Sequence, residues 1–110
     1  MAQERTRALN AIQVFLEEAK LKLDIERVVL FGSHAIGYPH EWSDIDLLII
    51  KETARRPIER NLELFRLIQP KIGTDIFIYT PEEYEYLLKE KFSFLLSILK
   101  TGKTVYEKRS

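Results

Sequence analysis

The chain has no cysteine and no long apolar run among its 110 residues. The absence of cysteine excludes disulfide bonds and cysteine-based zinc sites, and a reducing cytoplasm is the expected setting. No run approaches the roughly 18 apolar residues that a membrane span needs. No apolar signal segment follows the N-terminal Met-Ala-Gln-Glu-Arg. We therefore expect a cytoplasmic protein that makes no contact with a membrane.

An excess of charge of either sign is also missing, because 17 basic and 17 acidic residues give a formal net charge of +0. Bulk charge gives no argument for nucleic-acid affinity, so we expect no direct nucleic-acid binding, and a nucleotide site must be built locally. The composition, 45% hydrophobic and 31% charged, fits a globular protein. We expect residues 1–110 to form a single domain around one core.

The apolar periodicity predicts alternating helices and strands. Helices are expected over residues 2–23, from residue 57 to about 70, and from 81 to about 100 with a break near residues 90 and 91. Strands are expected over residues 27–31, 44–50, 74–79 and 103–107, the last as an edge strand. The fold class is therefore α/β (α+β).

The helix that begins at Pro57 is expected to face inward with four apolar side chains, those of Ile58, Leu62, Phe65 and Ile68.

The next helix is expected to begin with a capping box that joins Thr80 and Glu83. Residues 92–99 are apolar nearly all round, which predicts a sandwiched helix. Gly102 is expected just after its C-terminus.

Two aspartates one residue apart, Asp44 and Asp46, open the predicted second strand. Residues i and i+2 of a strand share a face with Cα atoms about 6.6 Å apart, so the two carboxylates project side by side. Paired carboxylates repel each other unless a cation neutralises them, and Mg²⁺ or Mn²⁺ suits these donors. The alternative is that both aspartates cap a loop–strand junction and face solvent.

Asp75 is the second residue of the predicted third strand. If the second and third strands are neighbours, three carboxylates gather at one edge of the sheet. Two-metal sites for nucleotidyl transfer use such a set, with one metal at the triphosphate, another at the attacking hydroxyl, and Asp75 as a candidate base. The alternative is a turn residue that follows Gly73 and Thr74.

Gly32 and Ser33 directly follow the apolar run that ends at Phe31. A glycine at a strand end lets the backbone approach a phosphate closely, because no Cβ intervenes. The serine hydroxyl and the free N–H groups of a short following helix would face the anion. Alone, Gly-Ser is a common turn. It gains meaning from the strand before it and the aspartates after it.

Residues 30–37 (Leu-Phe-Gly-Ser-His-Ala-Ile-Gly) and 42–49 (Trp-Ser-Asp-Ile-Asp-Leu-Leu-Ile) closely resemble the minimal nucleotidyltransferase family of the DNA polymerase β-like superfamily. The family pattern is Gly-Ser, ten residues, then Asp-x-Asp, and the spacing here matches it. Asp75 falls where the family's third carboxylate usually lies. The resemblance extends from Arg27 nearly to the end of the chain.

This resemblance implies a nucleotidyltransferase fold, a mixed β-sheet with helices packed on it, and a Mg²⁺-dependent site for ATP. It implies that Gly32 and Ser33 bind the triphosphate and that Asp44 and Asp46 bind metal and nucleotide. Asp75 would be the third metal ligand or the base. Many members of the family are antitoxins encoded beside a HEPN-type ribonuclease toxin, and some transfer AMP from ATP to a tyrosine of that toxin.

One departure from the family concerns the phosphate loop. Members with a full loop often read Gly-Ser-Arg-Ala-Arg-Gly, whereas this chain has His34 and Ile36 in place of both arginines. Arginine offers a permanent charge and a fork of donors that neither replacement supplies. Triphosphate binding would be weaker by about 1–3 kcal/mol unless another base, such as Arg55, Arg56 or Lys71, compensates.

Three functions stay open at this point. The chain could be an active nucleotidyltransferase that modifies a partner toxin, or an inert antitoxin that neutralises a HEPN partner by binding. It could also be an enzyme acting on a small molecule, although such enzymes usually add an acceptor-binding domain. A homodimer or a hetero-oligomer with the toxin is compatible with each. Tyr38 and Trp42 could stack on a base, touch a partner or cover the core.

Overall fold

The computed structural model describes residues 2–32, 35, 45–67 and 73–108. The helices are α1 (Ala2–Lys22), α2 (Pro57–Leu67), α3 (Pro81–Lys89) and α4 (Ser93–Thr101), and the strands are β1 (Ile25–Phe31), β2 (Ile45–Lys51), β3 (Thr74–Tyr79) and β4 (Lys103–Glu107). No helix in these ranges is both long enough and apolar enough to cross a membrane.

The described strands form one mixed sheet in the order β3-β2-β1-β4. β2 runs parallel to β3 and antiparallel to β1, and β4 pairs antiparallel with the outer side of β1. The C-terminal end of β1 therefore meets the N-terminal ends of β2 and β3 at one edge of the sheet. The predicted fold class and the edge position of residues 103–107 are confirmed.

Both faces of the sheet are buried, as the continuous apolar runs of β1 and β2 require. The first core joins α1 and α2 to alternate strand positions, and it includes Phe15, Leu16, Leu64, Val28, Leu30, Leu47, Ile49, Ile76 and Ile78. The second core joins α3 and α4 to the other strand positions, and it includes Val29, Leu48, Ile50, Leu95 and Ile98. Helices therefore cover the sheet on both sides.

The predicted orientation of α2 is wrong. Ile58 and Leu62, expected to face inward, are 78% and 59% exposed, and Phe65 is 36% exposed. The fourth predicted inward residue, Ile68, lies outside the described ranges. Leu64 is the apolar side chain of α2 that enters the first core. The helix is rotated about its axis because polar side chains on its inner side form hydrogen bonds with the neighbouring edge strand, β3.

Polar side chains of α2 bond the outer edge of β3. Asn61 Nδ2 donates to the Ile76 carbonyl at 2.9 Å, and Arg60 Nη1 donates to the Ile78 carbonyl at 3.1 Å. Arg60 is buried, and its Nη1 and Nη2 also donate to Glu83 Oε1 and Oε2, at 2.6 and 3.1 Å. Because these edge carbonyls are already bonded, β3 is protected there against pairing with another strand.

The predicted capping box at the start of α3 is confirmed. Thr80 Oγ1 accepts from the Glu83 backbone N–H at 3.1 Å, and the Glu83 carboxylate accepts from the Thr80 N–H at 2.9 Å. The hydrogen bonds from Arg60 and from Thr80 lower the pKa of Glu83, with Arg60 as the largest cause. A single carboxylate thus joins α2, β3 and α3.

The predicted break near residues 90 and 91 is also confirmed, since α3 ends at Lys89 and α4 begins at Ser93. Lys91 lies between them with a φ of 55°, in the left-handed region. The expectation of a helix buried all round is wrong. Phe92 and Leu96 are 41% and 42% exposed, because α4 covers one sheet face and keeps an outer side.

Gly102 directly follows α4, as predicted, but its backbone is extended with φ −71° and ψ 156°. A Cβ at this position would lie 2.5 Å from the Ile98 carbonyl oxygen and 2.7 Å from Val29 Cγ1. Close packing against β1 therefore requires glycine here. The backbone conformation does not, because other residues also adopt this negative φ.

Candidate active site

Asp46 and Asp75 lie side by side at the sheet edge where three strand ends meet. They are the second residues of β2 and β3, and they are register partners in that parallel pair. Partners in neighbouring strands share a face and lie about 4.8 Å apart. Asp75 is exposed and Asp46 is partly buried. The expectation that the second and third strands are neighbours is confirmed, and their pairing brings these two carboxylates together.

Gly32 turns the chain directly against Asp46. Its φ of 77° lies in the left-handed region, which favours glycine. A Cβ on Gly32 would overlap Asp46 Oδ2 and would lie 3.1 Å from Asp46 Cγ. Glycine therefore allows both the turn after β1 and the seating of the carboxylate. The two parts of the predicted site, the glycine turn and the aspartate strand, touch at this point.

Several predicted site residues lie outside the described ranges, namely Ser33, His34, Ile36, Tyr38, Trp42, Asp44 and Lys71. Within the described ranges, no group of three or more potential metal-ligating side chains is present. Asp46 and Asp75 nevertheless fit Mg²⁺ by their chemistry, because Mg²⁺ takes one or two carboxylates and completes its shell with waters and phosphates. The three-carboxylate site stays a prediction.

The two arginines proposed to compensate for the altered phosphate loop are engaged elsewhere. Arg55 and Arg56 follow β2 at the end opposite to Asp46. Arg55 Nε lies 2.5 Å from Glu63 Oε2, and Arg56 Nε lies 2.7 Å from Glu59 Oε1. Both guanidinium groups therefore pair with carboxylates of α2, away from the candidate site.

A cluster of phenylalanine rings borders the carboxylates on the same sheet face. It consists of Phe31, Phe77, Phe92 and Phe94, and we call it the phenylalanine cluster. Phe31 is the register partner of Asp46, and Phe77 lies two residues after Asp75. No sequence pattern predicted this cluster, because the strand order and the position of α4 bring its members together.

An open cavity of about 410 Å³ lies at the opposite end of the sheet, where Arg27, Ile50, Tyr84 and Lys108 contribute to its lining. Arg27 Nη1 donates to Tyr84 Oη at 3.0 Å, and Arg27 Nη2 donates to Thr104 Oγ1 at 3.0 Å. The arginine of this cavity is thus committed to structural hydrogen bonds. The carboxylate pair at the other end is the stronger candidate for chemistry.

The chain belongs to the Polymerase beta nucleotidyltransferase family, whose sequence profile matches residues 10–110. It is 32% identical over 105 residues to a predicted protein adenylyltransferase of Methanocaldococcus jannaschii, MJ1305, covering 90% of this chain and 71% of that protein. It is 31% identical over 99 residues to a second one, MJ0604 of the same organism, covering 88% and 96%. The resemblance inferred from the Gly-Ser and Asp-x-Asp pattern is confirmed.

Solved structures share the fold. A crystal structure of a predicted nucleotidyltransferase from Sulfolobus solfataricus aligns with a TM-score of 0.70 at 21% identity, over 97% of this chain and 86% of that one. A mutant form of the toxin–antitoxin MntA–HpeT aligns at 0.55 and 19% identity, over 88% and 72%. A toxin–antitoxin with AMP-PNP aligns at 0.51 and 20%, over 91% and 73%. At these identities the likeness establishes the nucleotidyltransferase fold.

Proposed function

We propose that this protein is a Mg²⁺-dependent protein adenylyltransferase that transfers AMP from ATP to a tyrosine of a partner HEPN ribonuclease toxin. It would thereby act as a cytoplasmic antitoxin. The names of its two M. jannaschii relatives, both predicted protein adenylyltransferases, support the reaction type. The toxin–antitoxin structures that share its fold support the kind of partner.

The observation that carries the proposal is the contact of Gly32 with Asp46 beside the register partner Asp75. It supports a nucleotide site in which the backbone after β1 approaches the triphosphate and Ser33 adds a hydroxyl. Asp44 and Asp46 would hold the metal, with Asp75 as third ligand or base. Bound Mg²⁺ would supply neutralising charge for the carboxylates and the phosphates.

In the proposed transfer, the acceptor hydroxyl oxygen attacks the α-phosphorus of ATP. The bond from that phosphorus to the oxygen bridging to the β-phosphate breaks, and pyrophosphate leaves with the electron pair. The hydroxyl proton passes to the Asp75 carboxylate. Asp75 suits this role because it is exposed, so a side chain of another protein can reach it, whereas Asp46 is partly buried beside Gly32.

A second candidate function is an inert antitoxin that neutralises a HEPN partner by binding alone. His34 and Ile36 favour it, because both arginines of the full phosphate loop are missing and neither Arg55 nor Arg56 replaces them at this edge. A small-molecule nucleotidyltransferase is the least favoured candidate, because both M. jannaschii relatives are named for transfer to a protein.

The double variant Asp44→Asn, Asp46→Asn separates the two leading functions. It removes two negative charges and the metal donors at nearly constant volume. The wild type and the variant are each co-expressed with the protein encoded beside the gene, which we expect to be of the HEPN type. Transfer of label from α-labelled ATP with Mg²⁺ or Mn²⁺ is then measured. We expect wild-type label on a toxin tyrosine, with both label and neutralisation lost in the variant.

The matched control is Asp24→Asn, Glu26→Gln, which removes two exposed carboxylates at the opposite end of β1. It should keep full transfer. If the wild type itself transfers no label while neutralisation persists in both variants, the protein is a binding antitoxin and the enzymatic proposal is wrong.

A further inference from the structure

We propose that the phenylalanine cluster is the binding site for the base of the nucleoside triphosphate, held by ring stacking and apolar contact with little preference among bases. This inference rests on the proposed function, and it assigns the part of the nucleotide that the carboxylates and Gly32 leave unaddressed.

The cluster begins where the phosphate and metal residues end. Phe31 directly precedes Gly32 and pairs with Asp46 across β1 and β2. Phe77 shares its sheet face with Asp75, about 6.6 Å further along β3. The phosphate turn, the carboxylates and the first two rings therefore occupy adjacent positions on one face. A nucleotide with its α-phosphate at the carboxylates is long enough for its base to reach these rings.

The rings form a connected surface. The centroids of Phe31 and Phe77 are 6.0 Å apart, those of Phe77 and Phe94 are 5.1 Å apart, and those of Phe31 and Phe94 are 6.2 Å apart. Phe92 extends the cluster with a centroid 6.3 Å from that of Phe94. These edge-to-face and tilted contacts fix the rings relative to one another before any ligand arrives.

This connected surface is not covered within the described part of the chain. Phe77, Phe92 and Phe94 are 38%, 41% and 36% exposed, whereas Leu95 and Ile98 of the same region are buried. α4 thus packs on the sheet through Leu95 and Ile98 and leaves the rings accessible beside the candidate site. Contiguous exposed apolar surface marks interaction sites and ligand-binding grooves, and ligand sites combine such surface with a few polar groups, as here.

The composition of the cluster determines its specificity. A phenylalanine side chain has no hydrogen-bond donor or acceptor, so the four rings cannot read the edge of a base. Stacking accepts every base, because each has a π-face, and removing one stacking ring typically weakens binding about tenfold. We therefore expect ATP, GTP, CTP and UTP to bind within about tenfold of one another.

The test compares ATP with ribose 5′-triphosphate, which keeps the sugar and phosphates and lacks the base. Affinities are measured by calorimetry with Mg²⁺ for the wild type and for Phe77→Leu, which keeps an apolar side chain and loses the ring. We expect the wild type to bind ATP at least about tenfold more tightly than ribose 5′-triphosphate. Phe77→Leu should weaken ATP binding about tenfold and leave ribose 5′-triphosphate binding unchanged.

Phe65→Leu is the matched control, because Phe65 is 36% exposed and lies on α2, which packs on the other sheet face. It should change neither affinity. Phe77→Trp, which restores a ring, should recover ATP binding. Equal wild-type affinities for the two ligands, or unchanged ATP binding in Phe77→Leu, would overturn the base site alone. If the wild type bound neither ligand with Mg²⁺, the proposed nucleotide site would also be wrong.

Discussion

Gly32 meets two requirements, a left-handed backbone and the space beside the Asp46 carboxylate. Gly32→Ala should therefore lower the free energy of unfolding by about 1–3 kcal/mol, because the new methyl group both strains φ and pushes on the carboxylate. It should also weaken Mg²⁺-dependent ATP binding. Urea unfolding measures the first effect and calorimetry the second.

Gly102→Ala is the control for that variant. Its Cβ would also clash, 2.5 Å from the Ile98 carbonyl oxygen, but Gly102 has an ordinary negative φ and lies after α4 instead of beside Asp46. We expect a loss of stability with ATP affinity unchanged. If both variants weakened ATP binding equally, general destabilisation would explain the result and Gly32 would have no special place in the site.

Glu83 links stability to pH. Its pKa is lowered in the folded protein, chiefly by the hydrogen bonds from Arg60. The unfolded chain therefore binds this proton more readily, so the stabilisation is complete above the ordinary glutamate pKa of about 4.3 and is lost as pH falls through the lowered value. Glu83→Gln should cost about 1 kcal/mol at neutral pH. This is less than the ~1.5–3 kcal/mol of a charged hydrogen bond, because the Glu83 side chain is 38% exposed and solvent screens its charge.

The unfolding free energy of Glu83→Gln should consequently fall less steeply with acid than that of the wild type. The measurement is urea unfolding at several values between neutral pH and about pH 3. Glu82→Gln removes an exposed charge from the same helical turn and should keep the wild-type slope. Parallel slopes for Glu83→Gln and the wild type would show that the pair with Arg60 does not titrate as described.

At the scale of elements, the sequence predicted the strands and the helix starts because those depend on local patterns. Alternation and apolar runs define β1, β2 and β3, and Thr80 with Glu83 defines the start of α3. The orientation of α2 was not predictable in this way. Its apolar residues Ile58 and Leu62 are exposed, while the buried Arg60 donates a hydrogen bond to the edge strand β3. The position of that strand depends on the order of strands in the sheet.

The same distinction applies to the candidate site. Asp46 and Asp75 could be placed together because each opens a strand, and a single assumption about strand neighbours sufficed. The phenylalanine cluster required the pairing of β1 with β2, the pairing of β2 with β3 and the seating of α4. All three depend on contacts between residues far apart in the chain, and no short sequence motif predicts such contacts.

The turn between α3 and α4 carries local strain that can be measured. Lys91 has a φ of 55°, which costs a residue with a side chain about 1–2 kcal/mol relative to glycine. Lys91→Gly should raise the free energy of unfolding by about 0.5–1 kcal/mol, since the greater freedom of glycine in the unfolded chain offsets part of the gain. Lys89→Gly, in the last turn of α3, should instead lower it by up to about 1 kcal/mol. Destabilisation by both would refute the strain at Lys91.

At the scale of the whole molecule, the candidate site lies at one end of the sheet, and hydrogen bonds between helices and strands lie at the other. One end carries Gly32, Asp46, Asp75 and the exposed rings. The other end carries the hydrogen bonds of Arg60 with Glu83 and of Arg27 with Tyr84, which tie helices to strands. Both sets of structural bonds thus lie at the end of the sheet opposite to the candidate site, where Asp75 and the phenylalanine rings are exposed to a ligand.

Stability should be distributed unevenly across this sheet. β2 is paired on both sides, and Leu47, Leu48 and Ile49 are at most 1% exposed, whereas β4 is a short edge strand with no fully buried residue. Amides of β2 should exchange with solvent through global unfolding, and those of β4 through local opening.

Ile49→Val should cost about 0.5–1.5 kcal/mol of global stability. Native-state hydrogen exchange should then show β2 protection reduced about two- to tenfold and β4 protection unchanged. Ile58→Val, at a position 78% exposed, is the control and should alter neither strand. A drop of equal size in β4 would mean that the edge strand opens only when the whole sheet unfolds, and the proposed gradient of stability would be wrong.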